Sequence, residues 1–287
     1  MIHARNLPRH RTDLRLRPLA FVAALAAAAA VAAFLWNVLR PGASTLDGVI
    51  LYTTAQGDVT VHANGDPAEV AGPPPVSFVP PGGGAEEFSA PDQSAVAYVQ
   101  RAAGGAWLAV RDGGGSRRLA QLADESSPPL VNGVKGDAQV AGGVPLVVSW
   151  SPDSRYVAYG SLTGAPYTLH VVERGTWSQQ EHAVAGGFIG ELAWSPSGDR
   201  LAISTYSPDR RDHTAYVLDP SGGAPVRLID GCHIVWSPNG RHLALHRDPH
   251  RAPGAWVVAI DGSRAYALSE DPTAFPLSWQ PEGETSS

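Results

Sequence analysis

One short pattern recurs along the chain: Trp-Ser-Pro, a turn, and an apolar strand. It reads "VSWSPDSRYVAYGS", "LAWSPSGDRLAISTY" and "IVWSPNGRHLALHR" in its three strong copies. The tryptophans are 44 and then 42 residues apart, at Trp150, Trp194 and Trp236. Repetition at a fixed period indicates supersecondary units that bury their apolar faces by stacking on one another. The chain must therefore fold as an array of similar units.

Two weaker copies extend the array. In "EEFSAPDQSAVAYVQ" we place Phe88 in the Trp position, and in "LSWQPEG" Trp279 follows Trp236 by 43 residues. A period of 42 to 44 residues with one tight hairpin per unit is typical of a β-propeller blade.

The residues within each unit favour four strands. Pro152, Pro196 and Pro238 each stand where a type I turn needs φ near −65°, so each marks a reversal between two strands. The residues after the turn alternate between apolar and polar, and two further strands follow at Gly-rich turns. We therefore predict an all-β fold, a β-propeller of four-stranded blades, with the repeated tryptophans and prolines in structural roles.

The two ends of the array complement each other. Residues 49–71 look like strands two to four of a blade, and "FPLSWQPEG" supplies a first strand with nothing after it. Pairing the two predicts a closed ring of five blades. The interval of 62 residues from Phe88 to Trp150 is read as a blade plus a long loop at 124–144, and a sixth, degenerate blade there is the alternative.

The amino terminus predicts a membrane segment. Leu19 to Leu39 has one polar side chain, Asn37, and five arginines precede it. This favours a signal-anchor helix with the amino terminus in the cytoplasm and the propeller outside. Because the segment is rich in alanine, a cleaved signal peptide with a secreted or periplasmic product is the alternative. The predicted divisions are 1–17 (basic segment), 18–39 (membrane helix), 40–47 (linker), 48–283 (propeller) and 284–287 (tail).

Charge and cysteine content exclude several classes of function. The formal net charge is −6, and the first 40 residues carry a net charge of +5, which leaves an acidic body. A nucleic-acid partner is not expected, because phosphate neutralisation needs clustered Lys and Arg. Cys232 is the sole cysteine, so an intramolecular disulfide and a four-thiolate metal site are excluded.

His242 and His246 lie about 13 Å apart on a strand, so we read them as half-exposed strand residues. No metal or cofactor is expected.

The candidate partner site lies in two irregular loops. "SPDRRDH" and "HRDPHRAPG" connect the second and third strands of neighbouring units, opposite the Ser-Pro turns, and the 124–144 loop opens on the same face. Loops on a rigid scaffold commonly carry binding residues. We predict that their charged side chains rim a pocket for an anionic or peptide partner: Asp209, Arg210, Arg211, Asp212, His213, Arg247, His250 and Arg251.

The repeats "WSPDS", "WSPSG" and "WSPNG", each followed by Arg within two residues, resemble those of TolB-like, WD-repeat-like β-propellers. The resemblance covers about residues 86–283. It implies a propeller, and TolB itself is a periplasmic protein that acts with a lipoprotein in envelope integrity. TolB carries an α/β domain before its propeller, for which residues 40–47 leave no room. The resemblance is specific for fold, and one fold hosts many activities.

The functional expectation is a membrane-anchored, extracytoplasmic module that binds a protein, peptide or glycan without catalysis. No catalytic motif is present, and the G-x-S-x-G elbow of the hydrolases that share such propellers is missing from the sequence. The alternative is a glycosidase or lyase that uses acids in the central funnel. A channel lined by three or more carboxylates would favour the enzyme.

Overall fold

A computed structural model describes residues 46, 48–64, 87–123, 140–141, 144–161, 168–185, 187–207, 209–247 and 253–281. The chain divides into two units, Met1–Leu46 and Asp47–Ser287, and the strands of the described residues all belong to the second unit. The described ranges contain no helix that is long and apolar enough to span a membrane. The predicted membrane segment, 18–39, lies outside those ranges.

Five antiparallel sheets occur in the described part of the chain. Sheet 1 contains β20 (Phe275–Gln280), β1 (Val49–Thr54) and β2 (Gly57–His62). Sheet 2 contains β3 (Glu87–Ser89), β4 (Ala95–Ala102), β5 (Gly105–Asp112) and β6 (Gly115–Ala123). Sheet 3 contains β7 (Val140–Ala141), β8 (Val144–Trp150), β9 (Tyr156–Ser161), β10 (Thr168–Glu173) and β11 (Ser178–Ala183). Sheet 4 contains β12 (Phe188–Trp194), β13 (Leu201–Ser207), β14 (Asp212–Leu218) and β15 (Val226–Arg227). Sheet 5 contains β16 (Cys232–Trp236), β17 (His242–Arg247), β18 (Gly254–Ala259) and β19 (Ala265–Ser269). The all-β prediction is confirmed.

The Ser-Pro turns reverse the chain as the sequence predicts. The backbone N–H of the fourth turn residue donates to the carbonyl of the serine at 2.8 to 2.9 Å. That fourth residue has a positive φ in each strong copy: Ser154 (59°), Gly198 (75°) and Gly240 (68°). Glycine adopts this conformation without a steric penalty, which explains its presence in two of the three turns.

The serine that follows each tryptophan has a structural role that the sequence did not reveal. Ser151, Ser195 and Ser237 are at most 1% exposed. Each hydroxyl accepts a hydrogen bond from a backbone N–H beyond the turn, at 2.8 to 3.0 Å, and donates to the side chain of Asp153, Asp199 or Asn239. The serine therefore satisfies polar groups that would otherwise be buried without a partner.

The tryptophans join one sheet to the previous one. Trp150, Trp194 and Trp236 are 7 to 8% exposed, and each indole N–H donates to a backbone carbonyl of the preceding sheet. The acceptors are the carbonyls of Phe88, Ser149 and Ala193, at 2.9, 3.2 and 2.8 Å. The indole rings pack with the apolar residues of β9, β13 and β17 between the sheets. The predicted structural role for these tryptophans agrees with these contacts.

The register of sheet 2 corrects the sequence alignment by one residue. Trp150 pairs with Val157 in sheet 3, and the equivalent pair in sheet 2 is Ser89 with Val96. Ser89, and not Phe88, therefore occupies the Trp position. The misalignment arose because an aromatic residue was matched to an aromatic residue, whereas the turn at Pro91 sets the register. Phe88 instead supplies the carbonyl that Trp150 contacts.

The two ends of the array meet in sheet 1. β20 pairs antiparallel with β1, with Trp279 opposite Ile50, which confirms the predicted pairing of the carboxy-terminal strand with the amino-terminal unit. Sheet 1 has three strands in the described ranges, and the predicted fourth lies in residues outside them. In the region read as a loop, Val140 pairs with Pro145 and adds a short fifth strand to sheet 3, while residues 124–139 lie outside the description.

Replacing Trp236 by Phe should lower the free energy of unfolding by about 2 kcal/mol, because the Ala193 carbonyl loses its donor and a gap opens between sheets 4 and 5. Urea denaturation measures the change. Trp107→Phe is the matched control: this indole is half-buried and stacked by Arg118, and its loss should cost less than about 1 kcal/mol. Equal losses of unfolding free energy in the two variants would contradict the role of Trp236 in joining sheets 4 and 5.

Acid should destabilise the folded chain through three aspartates in turns. The hydroxyls and backbone N–H groups of Ser221, Ser263 and Thr273 hold the pKa of Asp219, Asp261 and Asp271 below the usual range. Since their folded-state pKa values are depressed, the stabilisation is present above the unfolded pKa of 3.8 and is lost as the pH falls below it.

The measurement is the urea midpoint at pH 6 and pH 3 for the unmodified chain and for Asp219→Asn/Asp261→Asn/Asp271→Asn. Asparagine keeps an acceptor oxygen but cannot titrate. The variant should therefore lose less stability on acidification. An identical loss in both proteins would assign acid sensitivity to other groups.

Candidate functional site

Two hairpin loops form the predicted partner face. β13 ends at Ser207 and β14 begins at Asp212, while β17 ends at Arg247 and β18 begins at Gly254. The Ser-Pro turns lie at the opposite ends of β13 and β17, so both loops belong to the other end of sheets 4 and 5. We call this end, represented in the described ranges by residues 207, 209–213, 247 and 253–254, the loop face. His250 and Arg251 lie outside the described residues.

The first loop displays charge and pairs part of it internally. Asp209, Arg210 and Arg211 are exposed, and Arg210 Nε lies 3.4 Å from Asp212 Oδ1. The backbone N–H of Arg211 donates to the Ser207 carbonyl at 2.7 Å, and Arg211 has a φ of 55°. A non-glycine residue in this region is strained, so the loop holds Arg211 in an unfavourable conformation. Arg211 has no carboxylate partner among the described residues.

His213 is packed and does not form an open rim. Its ring lies 4.9 Å from that of Tyr206, whose ring lies 5.3 Å from that of Phe188. The His213 carbonyl accepts the backbone N–H of Gly231 at 3.0 Å. The rings of Phe188, Tyr206 and His213 therefore form a row on sheet 4, at the end that carries the loop face.

Arg247, the last residue of β17, lies on an aromatic ring of the neighbouring strand β18. Its guanidinium carbon is 4.6 Å from the centre of the Trp256 ring. Trp256 pairs with Leu245, and both pack against Ala202 and Ala215 of sheet 4. The side chains of one strand alternate between faces, so Arg247 and Leu245 point to the same side. Arg247 therefore stands where sheet 5 meets sheet 4, beside the strands that carry Tyr206 and His213.

One of the two histidines on β17 differs from the sequence expectation. His242 is half-buried, as expected, and desolvation lowers its pKa. His246 is 5% exposed, which corrects the prediction that it is half-exposed. Its ring stacks on Phe275 at 4.0 Å and its Nδ1 lies 3.0 Å from the Ala274 carbonyl, so the linker to β20 covers it. No cluster of three metal-ligating side chains occurs within the described ranges.

A bulge in β16 gives a structural role to the carboxylate of Glu191, which the sequence pattern does not single out. The register with β17 shifts between Cys232 and Val235, and His233 adopts a φ of 55°. The bulge removes the Ile234 N–H from the ladder, and Glu191 Oε1 of sheet 4 accepts it at 2.8 Å. Nothing in the sequence announces a bulge, so this contact could not be predicted.

The first strands of the sheets, which approach one another, hold few acids. β3, β8, β12, β16 and β20 together carry two carboxylates, those of Glu87 and Glu191. Glu87 lies 3.5 Å from Arg111, and Glu191 binds the bulge. Both carboxylates of these strands therefore have partners within the fold.

Comparison with known proteins finds partial similarity to TolB proteins. No family model matches the chain. The protein named Tol-Pal system protein TolB from Anaeromyxobacter dehalogenans (strain 2CP-C) is 27% identical over 110 residues, which is 34% of this chain and 25% of that protein. The chain is similar to TolB proteins over these 110 residues.

The match spans about a quarter of the length of this curated relative. Among solved structures, TolB from Acinetobacter baumannii aligns with a TM-score of 0.41 at 16% identity, over 69% of this chain and 46% of that one. Dipeptidyl peptidase 4 from Porphyromonas gingivalis aligns with a TM-score of 0.45 at 14% identity, over 62% and 32%.

Glu191→Ala should lower the free energy of unfolding of this TolB-like propeller by about 1 to 3 kcal/mol, because the Ile234 N–H loses its acceptor. Glu191→Gln keeps an acceptor and should cost much less. Urea denaturation of both variants measures the difference. If the alanine variant is as stable as the glutamine variant, the carboxylate does not hold the bulge.

Proposed function

We propose that the chain is a membrane-anchored, extracytoplasmic TolB-like propeller of five blades that binds a protein partner through its loop face and performs no catalysis. The membrane anchor is residues 18–39, and a periplasmic or secreted product is the alternative if that segment is cleaved. The five sheets and the pairing of β20 with β1 support the five-bladed ring.

The observation that carries the proposal is a contrast between the two ends of the sheets. At the turn end, three arginines pair with carboxylates of the fold: Arg155 lies 2.7 Å from Glu173, Arg174 lies 3.3 Å from Asp92, and Arg200 lies 3.1 Å from Asp219. Arg241, also at this end, has no carboxylate partner among the described residues. At the loop face, Arg211 and Arg247 have no carboxylate partner in the described ranges. Cations that the fold does not neutralise are available to another molecule.

The relatives support a protein as the partner. The curated matches carry the name Tol-Pal system protein, which describes a protein that works within an assembly. The loop face fits this interpretation, since Arg residues beside aromatic rings are enriched in protein interfaces. The acidic body disfavours nucleic acid.

The disposition of acids supports a binding role over an enzymatic one. A glycosidase needs two carboxyl groups free to act on one bond. The two carboxylates of the described first strands are held by Arg111 and by the Ile234 N–H. The described first strands therefore do not offer two free carboxyl groups.

Chemical crosslinking and pull-down from the native membrane test the proposal. Arg210→Ala/Arg211→Ala/Arg247→Ala removes three positive charges from the loop face and should reduce partner capture at least about tenfold, because charge complementarity and central arginines dominate many interfaces. Quantitative mass spectrometry measures the captured partner relative to the bait.

The matched control removes three positive charges from the turn end: Arg155→Ala/Arg200→Ala/Arg241→Ala. This variant should capture the partner as well as the unmodified chain does. Equal capture by the loop-face variant, or equal loss in both variants, would refute the assignment of the loop face.

A further inference from the structure

Arg247 and Trp256 contain two donors that the fold leaves unused. Arg247 Nε and Trp256 Nε1 are buried, and neither has a hydrogen-bond acceptor among the described residues. Both belong to one stack, in which the guanidinium carbon lies 4.6 Å from the ring centre. Buried donors are almost always satisfied in folded proteins. The two unsatisfied donors, side by side, require an explanation.

A second stack in the same chain shows what a purely structural version looks like. Arg118 lies over Trp107 with 4.2 Å between the guanidinium carbon and the ring centre. There, Arg118 Nε donates to Gln100 Oε1 at 2.8 Å. The chain thus provides an acceptor where the stack serves the sheet alone. At Arg247, which ends β17 on the side of the loop face, it provides none among the described residues.

We propose that Arg247 and Trp256 bind a carboxylate group of the partner. The proposal rests on the proposed function, because it names the chemistry that the loop face recognises. A carboxylate offers two acceptor oxygens in a plane, which match the fork of a guanidinium, and a further lone pair for the indole N–H. Burial of the two donors strengthens such hydrogen bonds, because few water molecules compete for them.

The charges around the stack favour a monoanion over a phosphate dianion. In net charge, Asp209 and Asp212 offset Arg210 and Arg211 among the described loop residues, although only Arg210 lies within ion-pair distance of a carboxylate, so the net charge of these residues is the single positive charge of Arg247. One positive charge beside two carboxylates suits a ligand with one negative charge. A carboxylate at the carboxy terminus of a peptide and one on an Asp or Glu side chain share this chemistry, and the experiment separates them.

The full chain, deuterated and labelled with ¹⁵N-tryptophan, is purified in detergent, and its eight tryptophans give eight indole N–H resonances. Trp256→Phe and Trp107→Phe assign two of them. The probes are N-acetylglycine for a terminal carboxylate, the α-amide of N-acetylaspartate for a side-chain carboxylate, uncharged N-acetylglycinamide and inorganic phosphate. We expect the Trp256 resonance to shift on addition of one or both carboxylates, with a shift that reaches saturation. The carboxylate that binds more tightly shows whether the partner supplies a terminal or a side-chain carboxylate.

Arg247→Gln should weaken the binding of the carboxylate at least about tenfold, and Arg247→Lys should fall between, because lysine keeps the charge and loses the fork. An unmoved Trp107 resonance shows that the variants stay folded and that the effect is local. The assignment is overturned if N-acetylglycinamide shifts Trp256 equally, if phosphate binds more tightly than both carboxylates, or if Arg247→Gln binds unchanged.

This result is separable from the partner experiment. Loss of partner capture in the loop-face variant, with a Trp256 resonance that ignores both carboxylates, would leave the proposed function standing and remove the carboxylate site. Carboxylate binding at Trp256, with partner capture unchanged in the loop-face variant, would leave the carboxylate site standing and refute the proposed function of the loop face.

Discussion

The hydrogen bond from a tryptophan indole to the backbone of the previous sheet is the interaction on which the array depends. Each of the three strong copies makes it, at 2.8 to 3.2 Å, from a ring that is at most 8% exposed. One side chain therefore buries a large apolar surface and also fixes the position of its neighbour, because a hydrogen bond is directional and burial is not. A repeat of 42 to 44 residues can then be stacked with little freedom to slide.

The two ends of the sheets differ in how their polar side chains are used. At the turn end, the buried serines, the turn hydrogen bonds and ion pairs such as Arg155 with Glu173 use the polar side chains to hold hairpins together. At the loop face the backbone is already secured by the strands below, so the side chains need not serve the fold. Arg211 and Arg247 stand there without carboxylate partners among the described residues. The binding proposals follow from this asymmetry.

Sheet 2 shows how the same rules tolerate a substitution. Ser89 takes the place of the tryptophan and Ala90 the place of the buried serine, yet the turn at Pro91 keeps its backbone hydrogen bonds. The turn sets the register, and the large side chain sets the stacking between sheets. The two functions of the motif are therefore separable, which is why an alignment based on aromatic residues alone failed by one position at Phe88.

The sequence by itself determined the all-β class, the Ser-Pro turns, the stacked tryptophans and the return of β20 to β1, because these depend on local turn chemistry and on a period that repetition makes visible. It also predicted the two loops as a partner face. Only the tertiary structure decided which polar groups have partners: that Glu191 holds the bulge at Ile234, that His246 is buried under Phe275, and that Arg247 and Trp256 share a stack with two unused donors. These contacts join residues of different strands or different sheets. Their geometry is set by the packing between sheets and by a bulge, and no local pattern in the sequence encodes either.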